Sequence, residues 1–470
     1  MRMSGGRLDK AIVVGLLATA VFTALAHGAV EFWAVSIFEL IVACLVLLWG
    51  VRLFVGDAVL IKMPRTSLPL LALLALGIVQ SIATQDATGR KLSLSMDVEA
   101  TRSAVAVVVA LIAFFAIAAN FVARRDRLPG VATFLIVYGL ALALFALVQH
   151  ITWNGRLYWV RPITSGAVSP FGPFVNRNHF AGYMEMLIPI PIALLMTGGA
   201  KRDSRLFYVF AATMMAVAAV ASLSRGGIIS LVAELIFLAS LGAKRRARLT
   251  GGGPFFLSHP VALTALVVAA ISAGVFWIGA EPVVNRIINS TGISGEGNQT
   301  FFASRGWIWR DTLAMIEANP ITGVGLGAYE TAYPIYSEDD GTVTLGQSLV
   351  VDRAHNDYLQ VLADCGIVGF AIAVWFIVTI FRATWRGSKS RDSLSAGFAL
   401  GCGAGIFGLL VHSLFDFNLQ LPSNALLFLL LAAVASHTAE TGRRSERNRT
   451  EVFEIVDEVE AVALTTGEFH

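Results

Sequence analysis

About twelve continuous apolar runs, each near the length needed to cross a bilayer, govern what this chain can fold into. They cover residues 11–28, 32–51, 68–84, 103–123, 130–150, 182–198, 206–223, 227–242, 261–280, 361–381, 395–415 and 422–437. A helix needs about 20 residues to span the hydrocarbon core. The runs are apolar throughout rather than alternating, which argues against a closed β-barrel. Water is absent from the bilayer interior, so backbone N–H and C=O groups must be satisfied inside helices. The expected fold is an all-α integral membrane protein, a polytopic bundle of about 12 transmembrane helices. The first run lacks a convincing cleavage site for a signal peptide and precedes eleven more, so it is expected to stay as a span. Composition agrees: of 470 residues, 56% are hydrophobic and 14% charged, where soluble domains carry roughly 25% charged residues. A water-soluble globule of this kind would expose large apolar patches and aggregate. A net charge of +3 is too small to argue for nucleic acid. Cys44, Cys365 and Cys402 cannot build a disulfide framework.

Lysines and arginines orient the bundle. With the N-terminus placed in the cytoplasm, 24 of the 35 fall in the inside segments, including the clusters Arg124–Arg125–Arg127 and Lys244–Arg245–Arg246. The positive-inside rule then puts both ends in the cytoplasm. These clusters serve as topology anchors, with membrane lipids as their contacts. The expected organisation is nine spans in 1–280, a large outside (periplasmic) loop subdomain in 281–360, three spans in 361–437 and a cytoplasmic tail in 438–470. The 281–360 loop has four arginines against ten carboxylates, with Trp307, Trp309, Tyr329, Tyr333 and Tyr336, and is expected to be partly helical. No internal repeat argues for an inverted-repeat transporter.

Ionisable groups inside apolar runs are functional candidates by default. Glu39, Glu185, Glu234 and Asp416 are such acids, with hydrogen bonding inside the bundle as the alternative reading for each. Arg225 lies in SLSRGGII at the outer face, where the charge rule works against an arginine. Its planar fork suits phosphate oxygens, and Gly226 and Gly227 beside it leave room for a ligand. The other reading is a snorkelling interfacial arginine. FFASRGWIWRDTLAMI (301–316) reads as an amphipathic helix with Arg305 and Trp309 on one face, Arg305 being a candidate second phosphate clamp, and Arg310 on another face. In VDRAHNDYLQVLADCGIVGF, Asp352 is the expected N-cap. That puts His355 in the first helical turn, where the helix dipole favours a neutral, basic imidazole. The His355–Asn356 pair alone fits capping or core roles equally well. GVGLG (323–327) lacks the lysine and the preceding strand of a nucleotide loop and reads as a tight turn after Pro320. No HExxH or paired CxxC points to a metal.

Together, NRNHFAGYMEMLIP (176–189), SRGG (224–227), NPITGVGLGAYETAYPIY (319–336), AHNDYLQVLADCGIVGF (354–370) and HSLFDFNLQLPSNALLF (412–428) resemble the O-antigen ligase and polymerase superfamily, membrane glycosyltransferases of the GT-C type. The common family form has Glu where this chain has Asp364, and the first 150 residues match only in hydropathy. The resemblance implies transfer of a glycan from undecaprenyl diphosphate to an acceptor hydroxyl at the periplasmic face of the bacterial inner membrane, without metal or other cofactor. It implies diphosphate binding by Arg225 and Arg305 and general-base catalysis by His355. Asn356 and an i, i+4 pair of His412 and Asp416 would support them, with a structural role for that pair as the alternative. The acceptor is lipid A–core sugar for a ligase, another lipid-linked repeat unit for a polymerase, or a hydroxyl side chain for a protein O-glycosyltransferase. A lipid or polysaccharide transporter is the reading from another class. It would need several titratable groups at mid-membrane and no surface base.

Overall fold

The computed structural model describes residues 2–55, 61–85, 91–163, 169–250, 301–337 and 351–438. Its helices are α1 (Arg2–Leu25), α2 (Phe32–Val55), α3 (Ser67–Gln80), α4 (Val98–Phe121), α5 (Leu128–Ile151), α6 (Arg177–Leu187), α7 (Pro189–Thr197), α8 (Arg205–Ala221), α9 (Arg225–Thr250), α10 (Phe301–Ala318), α11 (Tyr329–Tyr336), α12 (Asp357–Gly387), α13 (Ser393–His412) and α14 (Pro422–Thr438). The only strands among the described residues form two short hairpins, Ala83–Gln85 with Lys91–Ser93 and Arg156–Leu157 with Arg161–Pro162.

Among the described residues, nine helical segments are long and apolar enough to cross a membrane, α6 and α7 counting as one, and the protein is an all-α multi-pass membrane protein. Two more expected runs, α3 and α14, are shorter apolar helices. The 14 residues of α3 reach about 21 Å at 1.5 Å per residue, less than the ~30 Å hydrocarbon core. The run expected at 261–280 lies outside the described residues, as does the tail from 439 onward. The outer surface is apolar in the way a lipid solvent allows: Phe54 is 93% exposed and Leu206 81%.

Successive helices run between two ends of the bundle. One end is basic. Asp9 on α1 accepts from Arg52 of α2 and from Arg127 just before α5, both at 2.8 Å, and Arg245 of α9 donates to the Ser388 and Ser390 carbonyls after α12 at 2.5 and 2.7 Å. The opposite end gathers the starts of α6, α9 and α12 and the end of α13. Polar side chains set these termini: Asn176 accepts from the Asn178 amide before α6, and Asn356 from the Tyr358 and Leu359 amides before α12. The centre is α13, packed on α6, α7 and α9. A Cβ at Gly401 would lie 2.8 Å from Ile190 Cα, and one at Gly405 2.7 Å from the Met186 carbonyl oxygen, so the helix backbones meet directly.

One helix is broken where it enters the bundle. Within α12, Gly366 has φ +60° and ψ −163°, leaving carbonyls and amides unpaired along the axis. The segment after α10 fills the gap. Val324 and Gly325 amides donate to the Ala363 and Asp364 carbonyls at 2.8 and 3.0 Å, while Ile367 and Val368 amides donate to Pro320 and Ile321 at 2.9 and 3.2 Å. Gln80 at the end of α3 closes the junction, donating to the Thr322 and Asp364 carbonyls and accepting from the Leu326 amide. GVGLG is thus a turn, as its sequence suggests, and its backbone replaces the rung that the helix lacks. Residues 301–337 also have an apolar cluster of their own, with Ile308, Met315, Tyr329 and Tyr333 packed beside Ala354.

Candidate active site

The turn after α13 holds Asp416, whose side chain is 1% exposed. Three elements aim donors at it: Asn178 from the first turn of α6, Arg305 of α10 with Nη2 at 3.7 Å, and His355 with Nδ1 at 3.2 Å. Arg305 also donates to the Phe415 carbonyl. Burial alone would raise the Asp416 pKa. The hydrogen bond from His355, with the electrostatics of His179, Arg305 and His355, overrides it and holds the carboxyl far below the ordinary range. An ionised carboxylate only accepts, so the His355 Nδ1 must carry the proton. The lone pair then sits on Nε2, the arrangement that suits a base. Phe417 fixes the ring from one side, its centroid 4.9 Å from His355 and 4.8 Å from His179.

His355 does not stand in the first turn of a helix, and Asp352 is not the cap. The cap is Asn356, so His355 precedes the helix, at φ +51°. That left-handed backbone is uncommon for a residue with a Cβ and persists only where the surroundings enforce it. Here Trp309 Nε1 donates to the Ala354 carbonyl at 3.0 Å, the Ala354 amide donates to Gln360 Oε1 at 2.8 Å, and Asn356 Nδ2 donates to the Leu414 carbonyl at 3.1 Å. The tautomer and orientation of His355 therefore follow from Asp416 rather than from a place in the helix. Asp357 bolts the same turn, accepting from Ser413 Oγ at 2.7 Å and from the Leu419 amide at 3.1 Å.

His412 and Asp416 do not form a pair. The Asp416 amide still bonds the His412 carbonyl at 3.1 Å as the helix ends, but the two side chains take different partners. His412, 1% exposed, places Nδ1 3.0 Å from Glu185 Oε1 and Nε2 3.4 Å from Ser224 Oγ. Ser224 in turn accepts from the Gly227 amide at 3.1 Å, which caps α9 and makes Arg225 its first residue. Gly226 and Gly227 have a different use from the one their sequence suggests. A Cβ on Gly226 would lie 2.7 Å from His412 Cδ2 and 3.3 Å from Phe415 Cβ, and one on Gly227 would lie 3.1 Å from Glu185 Oε1. The space they free is filled by protein side chains. Arg225 is half-buried at this start.

Residues 412–417 thus connect both halves of the site. His412 and Phe415 contact the turn that carries Arg225, Phe415 receives Arg305, and Asp416 receives Arg305 and His355. Asn178 and Ser224 are neighbours that sequence reasoning did not single out, and Glu185, singled out only as an acid inside an apolar run, has its partner here in His412. All three lie inside the quoted motifs, but only the fold shows their partners. Glu234, 0% exposed beside Gly408, has no hydrogen-bond partner for its carboxyl oxygens among the described residues. Next to Phe417, a cavity of about 550 Å³ runs between α3, α4, α12 and α14, lined by apolar side chains such as Leu73, Val107, Phe376 and Phe428, with Asp352 and Arg353 among its lining residues. Among the described residues no group of three His, Cys, Asp or Glu side chains could hold a metal ion.

Compared with known families, residues 210–374 match a family described as O-antigen ligase. The matched region contains Arg225, Arg305 and His355, and Asp416 lies beyond it. No curated protein matches the chain.

Proposed function

From the premise that this chain belongs to the O-antigen ligase superfamily, we propose that it transfers a glycan from undecaprenyl diphosphate to a sugar hydroxyl of lipid A–core or another surface glycan. The site faces the periplasm, at the end of the bundle opposite the basic residues, and the protein sits in the bacterial inner membrane. The observation that carries this reading is the meeting of His355 and Arg305 on one buried carboxylate, Asp416.

The acceptor hydroxyl gives its proton to His355 Nε2 as its oxygen attacks the anomeric carbon. The bond from that carbon to the diphosphate oxygen breaks, and the lipid diphosphate leaves with the electron pair. Asp416 stabilises the imidazolium that forms, as the acid of a triad does. General-base help of this kind supplies about 10²–10⁴-fold. Arg225 and Arg305 face the charge that grows on the leaving group, the point where fixed cations act most strongly. A single displacement inverts the anomeric centre. The apolar cavity beside Phe417 supports a substrate with a long hydrocarbon chain. A transporter would have no use for a base oriented by a carboxylate outside the spans.

The test is incubation of the purified protein with a lipid-linked glycan and candidate acceptors, followed by identification of the product and its anomeric configuration. A glycan joined to an acceptor hydroxyl with inversion is expected. Translocation of the lipid without a new glycosidic bond would overturn the reading.

A further inference from the structure

We propose that Glu185 and His412 are positioning residues for the anion site: as a buried pair they hold the first turn of α9 and thereby fix where Arg225 presents its guanidinium. This rests on the reading of Arg225 as a diphosphate ligand.

Placing a carboxyl and an imidazole inside a membrane bundle costs free energy unless each finds a partner. These two find each other at 3.0 Å, at 0% and 1% side-chain exposure. The pair does not serve the acceptor side, since His355 has its own carboxylate in Asp416. Its free edge faces α9 instead. His412 Nε2 meets Ser224 Oγ at 3.4 Å, and that hydroxyl caps the helix whose first residue is Arg225. The two glycines after Arg225 let the imidazole and the carboxylate come against the turn itself, where any Cβ would collide with His412 or crowd Glu185. Three helices, α6, α9 and α13, therefore meet at this pair. With the first turn of α9 fixed by cap and contact, the arginine has little freedom left except in its own side chain.

The pair should act on donor affinity and, because Arg225 also faces the leaving-group charge, on the chemical step only through Arg225. The experiment measures binding of farnesyl diphosphate and the single-turnover rate at saturating lipid-linked glycan on the same detergent-purified variants. Glu185→Ala and His412→Ala should weaken binding about ten-fold or more, the scale of one lost charge-assisted hydrogen bond, with any fall in single-turnover rate no larger than that of Arg225→Ala. Glu185→Gln, which still offers an oxygen to His412 Nδ1, should restore most of the affinity. Gly226→Ala should weaken binding by pushing on the His412 ring, and should add little when His412 is already Ala. If Glu185→Ala does not fold, Gly226→Ala carries the test, because it removes no buried group.

Unchanged binding in these variants, a lost chemical step with intact binding, or Gln behaving as Ala would overturn the proposal. Arg225→Ala separates the two levels. Wild-type binding in that variant defeats the diphosphate reading and the positioning role with it. Weak binding there with normal binding in Glu185→Ala defeats only the positioning role.

Discussion

Asp416→Asn is the most informative single substitution. The amide is nearly isosteric with the carboxylate but cannot balance an imidazolium, and its NH₂ can face His355 Nδ1 as a donor. His355 would then settle in the opposite tautomer, with Nε2 protonated and useless as a base. The carboxylate lies 3.2 Å from His355 and is 1% exposed, so no water replaces it. The single-turnover rate should fall by about 10²–10⁴, or roughly 2.7–5.5 kcal/mol. A stability loss accompanies it, because Arg305 loses the charge of Asp416. This should be near 3 kcal/mol, the low end for a broken buried pair, since Arg305 keeps 14% of its side chain exposed. The sign of the pH effect follows from the depressed Asp416 pKa. The carboxylate's contribution is complete above the unfolded value near 4 and vanishes as pH falls through the folded value. The thermal-stability gap between wild type and Asp416→Asn should therefore be widest at neutral pH and close on strong acidification. Catalytically, His355→Ala and His355→Ala/Asp416→Asn should have nearly equal rates, because the acid acts through the base. Multiplying effects, or a wild-type rate in Asp416→Asn, would refute the reasoning.

Arg225→Lys should weaken binding of a prenyl diphosphate because a point charge replaces a fork, and wild-type turnover in both Arg225→Ala and Arg305→Ala would remove the diphosphate assignment. A periplasm-active reporter fused after residue 320 should give signal and one fused after residue 250 none, and the reverse pattern would end the proposed orientation. Gly366→Ala should lower thermal stability by more than the ~1 kcal/mol of a positive-φ glycine, since its Cβ would come 2.3 Å from the Ile321 carbonyl oxygen.

What the sequence reveals of this protein follows from how strongly the solvent constrains it. A bilayer permits few backbone arrangements, so the apolar runs read directly as helices, and the basic clusters do gather at one end. The start of α12 is harder. Asp352 and Asn356 are both good caps, and only tertiary bonds from Trp309, Gln360 and Leu414 decide for Asn356. Partners across elements are invisible for the same reason. The spacing of His412 and Asp416 suggests a pair, but helix termination after His412 sends one side chain to Glu185 and the other to His355. Gly226 and Gly227 announce a close approach without saying of what.

The break at Gly366 means that one helix's hydrogen-bond ladder is held jointly by two stretches of chain. An unbroken transmembrane helix opens and closes on its own account. Here the amides of Val324, Gly325, Ile367 and Val368 all bridge the same seam, so none can meet solvent until the seam parts. In hydrogen exchange they should behave as a single cooperative unit. The residues between the seam and the histidine, 356–365, are anchored at both of their ends. Any reorientation of α10 is therefore delivered to His355 through a short, stiff connection, with no slack in which it could dissipate.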